Sequence, residues 1–268
     1  MKKLLSIVLV CFFSAYLLSA CIPPPCLLSV CGPPPPPADP KQQALLIGNA
    51  EYKENELMNP VNDVNDMANV LIEQGFTVVI RTNLDHKQME DAIREFKNRL
   101  FAHKKSVGLF YFSGHGAQVE GKSYLIPVNN DEIEFDDDVP WKAVQVDKVL
   151  AQMQDTNNGL NIMILDACRD KPYPSRPTKG GGKDGLASII APEGVIIGYA
   201  TKPGHIALEL GGRNSLYTKH LLQTIESKKR IDDILMNASK PVQLESNGKQ
   251  IPWYRTSMTE PFCFNGCP

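Results

Sequence analysis

The sequence predicts an α/β fold with a central, mostly parallel β-sheet. Apolar runs of strand length alternate along the chain with segments whose apolar residues recur at helical spacing, which is typical of a parallel sheet covered by helices. Two of these runs, residues 109–112 and 162–165, end abruptly in small and polar residues, as strands buried on both faces do. The composition, with 43% hydrophobic and 22% charged residues in a chain of 268, agrees with one large globular domain.

The predicted elements follow one another in a regular order. Strands are expected over residues 43–49, 76–80, 107–112, 162–165 and 194–200, with a short hairpin extension over residues 117–128. Helices are expected over residues 64–71, 86–101, 146–153, 214–227 and 231–238. Asn62-Asp63 offers an N-cap for the first helix, and Gly75 is expected to end it.

The N-terminal segment differs from the rest of the chain. Lys2-Lys3, an apolar run and a small-residue exit predict a secretory signal peptide over residues 1–20 rather than a membrane span. Residues 21–41 are dominated by proline, which favours an extended and semi-rigid tether. The globular domain is therefore placed at residues 42–262, and residues 263–268 form a C-terminal tail.

Residues 18–21, Leu-Ser-Ala-Cys, resemble the lipobox of bacterial lipoproteins. The resemblance implies cleavage before Cys21 and lipidation of this residue, so that the protein is anchored in a bacterial cell envelope. Ile22 stands where an inner-membrane retention signal usually has aspartate, which favours the outer membrane of a double-membraned bacterium. A plain signal peptide and an uncleaved membrane anchor are the alternatives.

Several classes of partner are disfavoured by the residue content. The net charge of −2 argues against a nucleic-acid partner, and no histidine spacing is typical of a metal site, so we expect no cofactor.

Cys26 and Cys31 lie in the tether, and the sequence does not decide how they pair. Cys263 and Cys267 flank a three-residue turn and either form a small disulfide in an oxidising envelope or stay free. The sequence does not indicate an oligomeric state.

The two buried runs lead into residues that can carry out chemistry. His115 follows the first run and Cys168 follows the second. Because the carboxyl ends of parallel strands meet at one edge of a sheet, we expect these residues to lie close together. A cysteine is a nucleophile as its thiolate, and a nearby histidine can generate that state.

Two motifs at these positions resemble the catalytic signatures of the caspase-like cysteine peptidases, the C14-type group that includes caspases, metacaspases and paracaspases. They are Ser113-Gly114-His115-Gly116 and Asp166-Ala167-Cys168-Arg169. Residues 59–63 resemble the equivalent metacaspase stretch, and residues 199–204 and 213–218 resemble the later part of bacterial caspase-like domains. The resemblance covers residues 42–262 and implies a caspase-like three-layer α/β/α sandwich with the activity of a cysteine endopeptidase on protein or peptide substrates.

The resemblance also implies a role for each matching residue. Cys168 would be the nucleophile, and His115 would be the base and then the acid that protonates the leaving amine. The backbone N–H groups of Gly116 and Cys168 would form the oxyanion hole. Asp166 stands where caspases have glutamine, and with Asp63 it would form a pocket for a basic side chain. Cleavage is therefore expected after Arg or Lys rather than after Asp. A capping role is the alternative for both aspartates.

Two further features follow from the same resemblance. The segment after Arg169 is basic and rich in proline and glycine, and its candidate self-processing sites are Arg176, Lys179 and Lys183. A flexible loop that is never cut is the alternative. The acidic run at residues 136–138 raises a calcium hypothesis, because some metacaspases need that ion, although a solvated acidic loop is favoured. The alternative to an enzyme is a catalytically silent binding or scaffold lipoprotein.

Overall fold

The computed structural model describes residues 39–168, 173, 186–203, 207–208, 211–264 and 266–267, which all belong to the unit formed by residues 35–268. The strands are β1 Asp39–Gly48, β2 Phe76–Thr82, β3 Val107–Val119, β4 Lys122–Leu125, β5 Val144–Gln145, β6 Leu160–Cys168, β7 Val195–Tyr199 and β8 Trp253–Thr256. The helices are α1 Pro60–Glu73, α2 His86–Ala102, α3 Val139–Lys142, α4 Val146–Gln154, α5 Leu216–Ile225 and α6 Ile231–Glu245.

The sheet is mostly parallel, as predicted. Its strand order is β2-β1-β3-β6-β7-β8, and the first five of these strands run parallel to one another. The last strand, β8, runs antiparallel to β7. The end of β3 extends beyond the parallel sheet and pairs with β4 in an antiparallel hairpin, which confirms the predicted extension.

Apolar side chains of the central strands point alternately to the two faces of the sheet, as the pleat requires. On β1, Leu46 packs into a cluster with α1, α5 and α6, whereas Leu45 and Ile47 pack into a second cluster with α2 and α4. These three side chains are no more than 1% exposed, and burying each contributes about 2 kcal/mol to folding. Burial on both faces explains why the strands are continuous apolar runs in the sequence.

The start of α1 differs from the prediction. The helix begins at Pro60, with Asn59 at the N-cap position, rather than after Asn62-Asp63. Proline suits the first helical position because its missing N–H would have no intrahelical partner there. Asp63 lies inside the first turn and is fully buried, so its side chain contacts the core instead of capping the helix.

The C-terminal segment is closed by a disulfide between Cys263 and Cys267, which answers the question that the sequence left open. Phe264, between the two cysteines, is 5% exposed and contacts Phe76 with a ring-centroid distance of 6.0 Å. Among the helices of the described residues, none combines the length and apolarity needed to cross a membrane.

Candidate active site

His115 and Cys168 are paired in register on neighbouring strands. Strands β3 and β6 run parallel, and the pairing that begins at Val107 and Leu160 ends at His115 and Cys168. Paired residues of adjacent strands lie about 5 Å apart, so the two backbones meet at the carboxyl edge of the sheet. The structure describes the backbone of Cys168 but not its side chain.

A backbone carbonyl orients the imidazole of His115. The Nε2 atom lies 2.6 Å from the carbonyl oxygen of Asn55, and since a carbonyl can only accept, Nε2 must carry the proton. In the neutral ring this leaves the lone pair on Nδ1, which is therefore the basic atom. Asn55 adopts a left-handed backbone conformation with a φ of 59°, which aims its carbonyl at the ring.

Tyr52 supports the same histidine from a second direction. Its ring packs against the imidazole with a centroid distance of 4.4 Å, and its hydroxyl accepts a hydrogen bond of 2.8 Å from the His115 backbone N–H. Neither Asn55 nor Tyr52 was predicted from the sequence as a site residue. Asn55 acts through its backbone and leaves no side-chain signal, and Tyr52 is a single aromatic residue in the loop between β1 and α1.

The glycines beside His115 are required by close approach of neighbouring groups. A Cβ on Gly114 would lie 2.5 Å from the Tyr52 hydroxyl oxygen. A Cβ on Gly116 would lie 2.9 Å from a methyl carbon of Leu186 and 3.1 Å from the Cβ of Ala167. A Cβ on Gly114 would therefore displace the Tyr52 hydroxyl, and one on Gly116 would displace Leu186 or Ala167.

The structure brings the two predicted pocket residues together below the strand ends. Asp63 accepts hydrogen bonds from the Ser215 backbone N–H at 3.0 Å and from the Ser113 hydroxyl at 2.9 Å. Asp166 accepts from the hydroxyl of Ser215 and from both the backbone N–H and the hydroxyl of Thr218, at 3.2 and 2.6 Å. Ser215, the N-cap residue of α5, therefore bridges the two carboxylates.

Both carboxyl groups are held in an environment that disfavours their charged forms. Burial and the nearby Asp166 raise the pKa of Asp63 to about 7, and burial raises the pKa of Asp166. The Oδ1 atom of Asp166 is buried and has no hydrogen-bond partner within the part of the chain that the structure describes. A cation placed against this atom would relieve both the desolvation and the repulsion.

Replacing Asp63 with asparagine is expected to stabilise the fold above neutral pH. Because the pKa of Asp63 is raised from its ordinary 3.8 to about 7, the native state keeps a proton that the unfolded chain releases, and stability falls as the pH rises through this interval. The asparagine variant avoids this loss, so its advantage should grow up to about pH 7 and then level off at on the order of 4 kcal/mol. Urea unfolding of both proteins at about pH 5 and about pH 8 measures the difference. An advantage that is absent at the higher pH would contradict the expectation.

The remaining predicted residues fall into two groups. Cys21, Arg176, Lys179 and Lys183 lie outside the described residues. The acidic run forms a short 3₁₀ turn, Asp136–Asp138, in which Asp136 accepts a 3.0 Å hydrogen bond from Tyr173 and Asp138 accepts from the backbone N–H groups of residues 134 and 135. Within the described ranges, no three acidic, histidine or cysteine residues are grouped so that they could hold a metal ion.

Comparison with known proteins gives three findings. The family model for the caspase domain, peptidase C14, matches residues 41–263. The mucosa-associated lymphoid tissue lymphoma translocation protein 1 of Homo sapiens and its homolog of Mus musculus are each 30% identical over 231 residues, which cover 81% of this chain and 26% of the relative's length. The chain thus spans about a quarter of these relatives.

A structure of pro-Sf-caspase-1 superposes with a TM-score of 0.63 at 15% sequence identity, covering 83% of this chain and 90% of that one. This likeness confirms the predicted caspase-like arrangement of a mostly parallel sheet between helices. Because the family model matches most of this chain, the chain belongs to the caspase domain family, peptidase C14.

Proposed function

We propose that the protein is a cysteine endopeptidase that cleaves peptide bonds after Arg or Lys through a dyad of Cys168 and His115. The observation that carries the proposal is the register of β3 and β6, which places these two residues side by side at the carboxyl edge of the sheet. Membership of the caspase domain family supports a peptidase, and the buried carboxylates support the preference for basic residues.

The proposed reaction uses the two residues that are paired at the ends of β3 and β6. Nδ1 of His115 would take the proton of the Cys168 thiol, and the thiolate would attack the substrate carbonyl carbon. The N–H groups of Gly116 and Cys168 would bind the oxyanion, each contributing about 3 kcal/mol. The imidazolium, held by the Asn55 carbonyl, would then protonate the leaving amine, and water would hydrolyse the thioester with His115 as its base.

The preference for basic residues rests on Asp63 and Asp166. A guanidinium against the buried Oδ1 of Asp166 would donate a hydrogen bond to this atom, and its charge would favour the ionised forms of both carboxyl groups. A glutamate or aspartate side chain of a substrate would instead add a third carboxylate to a buried pair, which is strongly unfavourable.

We expect the full-length protein to hydrolyse an arginyl-coumarin peptide and to leave the matched aspartyl peptide essentially uncut. The difference in kcat/KM should be at least about 10³-fold, because the wrong charge would be buried without a partner. Release of coumarin under reducing conditions, with and without calcium, measures both rates. A preference for the aspartyl peptide would disprove the assignment of the pocket.

The same assay separates the enzyme from its alternative. Asp166 accepts hydrogen bonds from Ser215 and Thr218 and so has a structural role at the start of α5. A catalytically silent binding or scaffold lipoprotein would need only this role of Asp166. Absence of hydrolysis of basic peptides would favour that alternative.

If the protein is active, N-terminal sequencing of its fragments tests self-processing. Fragments that begin after Arg176, Lys179 or Lys183 would identify it, provided that a Cys168→Ala variant does not produce them.

We also propose that Cys21 carries a lipid that tethers the protein to the bacterial envelope, on the outer membrane. The disulfide between Cys263 and Cys267 supports an oxidising compartment of this kind. The Cys21→Ala variant is expected to leave the membrane fraction, whereas a Cys26→Ala variant should remain there. Membrane attachment of both variants would refute the lipid anchor.

A further inference from the structure

We propose that Tyr52 is a positioning residue that holds His115 in its reactive orientation. The inference rests on the proposed function, in which His115 is the base. Tyr52 lies more than 60 positions upstream of His115 and is not part of either catalytic motif.

Tyr52 contacts His115 through both its ring and its hydroxyl. The two rings are tilted by 57° at a centroid distance of 4.4 Å, so the tyrosine limits rotation of the imidazole on one side. The hydroxyl accepts from the His115 N–H at 2.8 Å and donates to the carbonyl oxygen of Ile126 at 3.1 Å. Because an O–H can accept and donate at once, Tyr52 links the histidine strand to the segment that follows β4.

The backbone around His115 fits this contact closely. The carbonyl of His115 accepts from the Ile126 N–H at 3.0 Å, so Tyr52 and Ile126 hold both polar groups of the histidine backbone. The neighbouring Gly114 leaves the space that the tyrosine hydroxyl occupies. Tyr52 is 5% exposed, so water does not compete for its hydrogen bonds.

The loop that carries Tyr52 also carries Asn55, whose carbonyl binds the imidazole. Two amide side chains hold this loop in place, the half-buried Asn83 and the buried Asn130. Asn83 accepts from the backbone N–H groups of residues 50 and 51, at 2.9 and 3.2 Å. Asn130 accepts from the Glu54 N–H at 3.0 Å and donates to the Glu54 carbonyl at 2.8 Å. A loop held at both ends gives Tyr52 and Asn55 fixed positions against which the imidazole is oriented.

The effect expected on Tyr52 variants follows from this geometry. Tyr52→Phe keeps the ring and removes the hydroxyl, so kcat should fall about tenfold, as expected for one buried hydrogen bond. Tyr52→Leu also removes the ring contact, and kcat should fall about 100-fold as the imidazole loses its alignment. KM should remain unchanged, because the carboxylates that bind the substrate side chain lie on other elements, at Asp63 of α1 and Asp166 of β6.

The test uses full-length protein and two readouts. The first is kcat and KM for the arginyl peptide. The second is the rate at which iodoacetamide alkylates Cys168 at neutral pH, resolved from the other cysteines by peptide mapping, since this rate reports thiolate formed with the help of His115. Tyr124→Phe is the matched control, because Tyr124 is 3% exposed in the same apolar cluster, and it should behave as wild type in both readouts.

A parallel fall in kcat and in Cys168 alkylation for Tyr52→Phe, with KM and the folded state unchanged, would support the inference. Wild-type values of both for this variant would overturn it, as would an equal loss in Tyr124→Phe. If the wild-type protein cleaved no basic peptide, the proposed function would fail, and the alkylation rates would still decide whether Tyr52 acts on the dyad.

Discussion

Replacing His115 with alanine is expected to lower kcat for an arginyl peptide by at least about 10³-fold, because members of a catalytic dyad act as a unit. Without the imidazole, the proposed dyad has no group that takes the proton of the Cys168 thiol, and the thiol is a far weaker nucleophile than its thiolate. The leaving amine also loses its proton donor. Cys168→Ala should reduce activity as far as His115→Ala does, and the double variant should be no worse than either.

Steady-state hydrolysis by the full-length variants measures this effect. His86→Ala is the matched control, because His86 lies at the start of α2, where it faces Glu90 at 3.7 Å. That variant should retain wild-type kcat. Hydrolysis by His115→Ala or Cys168→Ala at the wild-type rate would place the activity elsewhere or assign it to a contaminant.

Replacing Asp166 with asparagine is expected to lower kcat/KM for the arginyl peptide by about 10²-fold or more, mainly through KM. The asparagine carbonyl can accept from Ser215 and Thr218 as one carboxylate oxygen now does, so the start of α5 should keep its cap. The amide would place a donor where Oδ1 has no hydrogen-bond partner among the described residues, and a donor repels a guanidinium.

The fold of the Asp166→Asn variant should be as stable as wild type or more stable, because the desolvation that raises the pKa of Asp166 is removed with the charge. Activity and stability therefore change in opposite directions if Asp166 binds substrate. A purely structural cap would give the reverse, a destabilised protein with unchanged preference for arginine. Asp91→Asn, at an exposed site on α2, is the control for both measurements.

The sheet could be predicted from the sequence because a strand that is buried on both faces is a continuous apolar run. The central strands are continuous apolar runs, and α2 and α4 show apolar residues at helical spacing, so these elements were located to within a few residues. The strand β8 was missed, because its four residues are half-buried or exposed and two of them are Arg255 and Thr256. The length of β3 was underestimated because small and polar residues at 113–117 interrupt the apolar pattern.

The local pattern also misplaced the start of α1. Asn62 and Asp63 are common N-cap residues, but Pro60 already suits the first helical turn, and Asp63 has partners far away in the chain. Ser113 and Ser215, which bind its carboxylate, lie 50 and 152 positions away, so no local rule could have chosen between the cap and the core.

By itself, the sequence determined that this chain forms a mostly parallel α/β domain and that His115 and Cys168 each follow a buried strand, because apolar runs and the motifs that follow them are local properties. Tertiary structure decided how the site is built. The carbonyl of Asn55 and the hydroxyl of Tyr52 reach His115 from the loop between β1 and α1, and Ser215 joins the two carboxylates from the start of α5. These contacts depend on backbone groups and on distances through space, which the order of residues does not record.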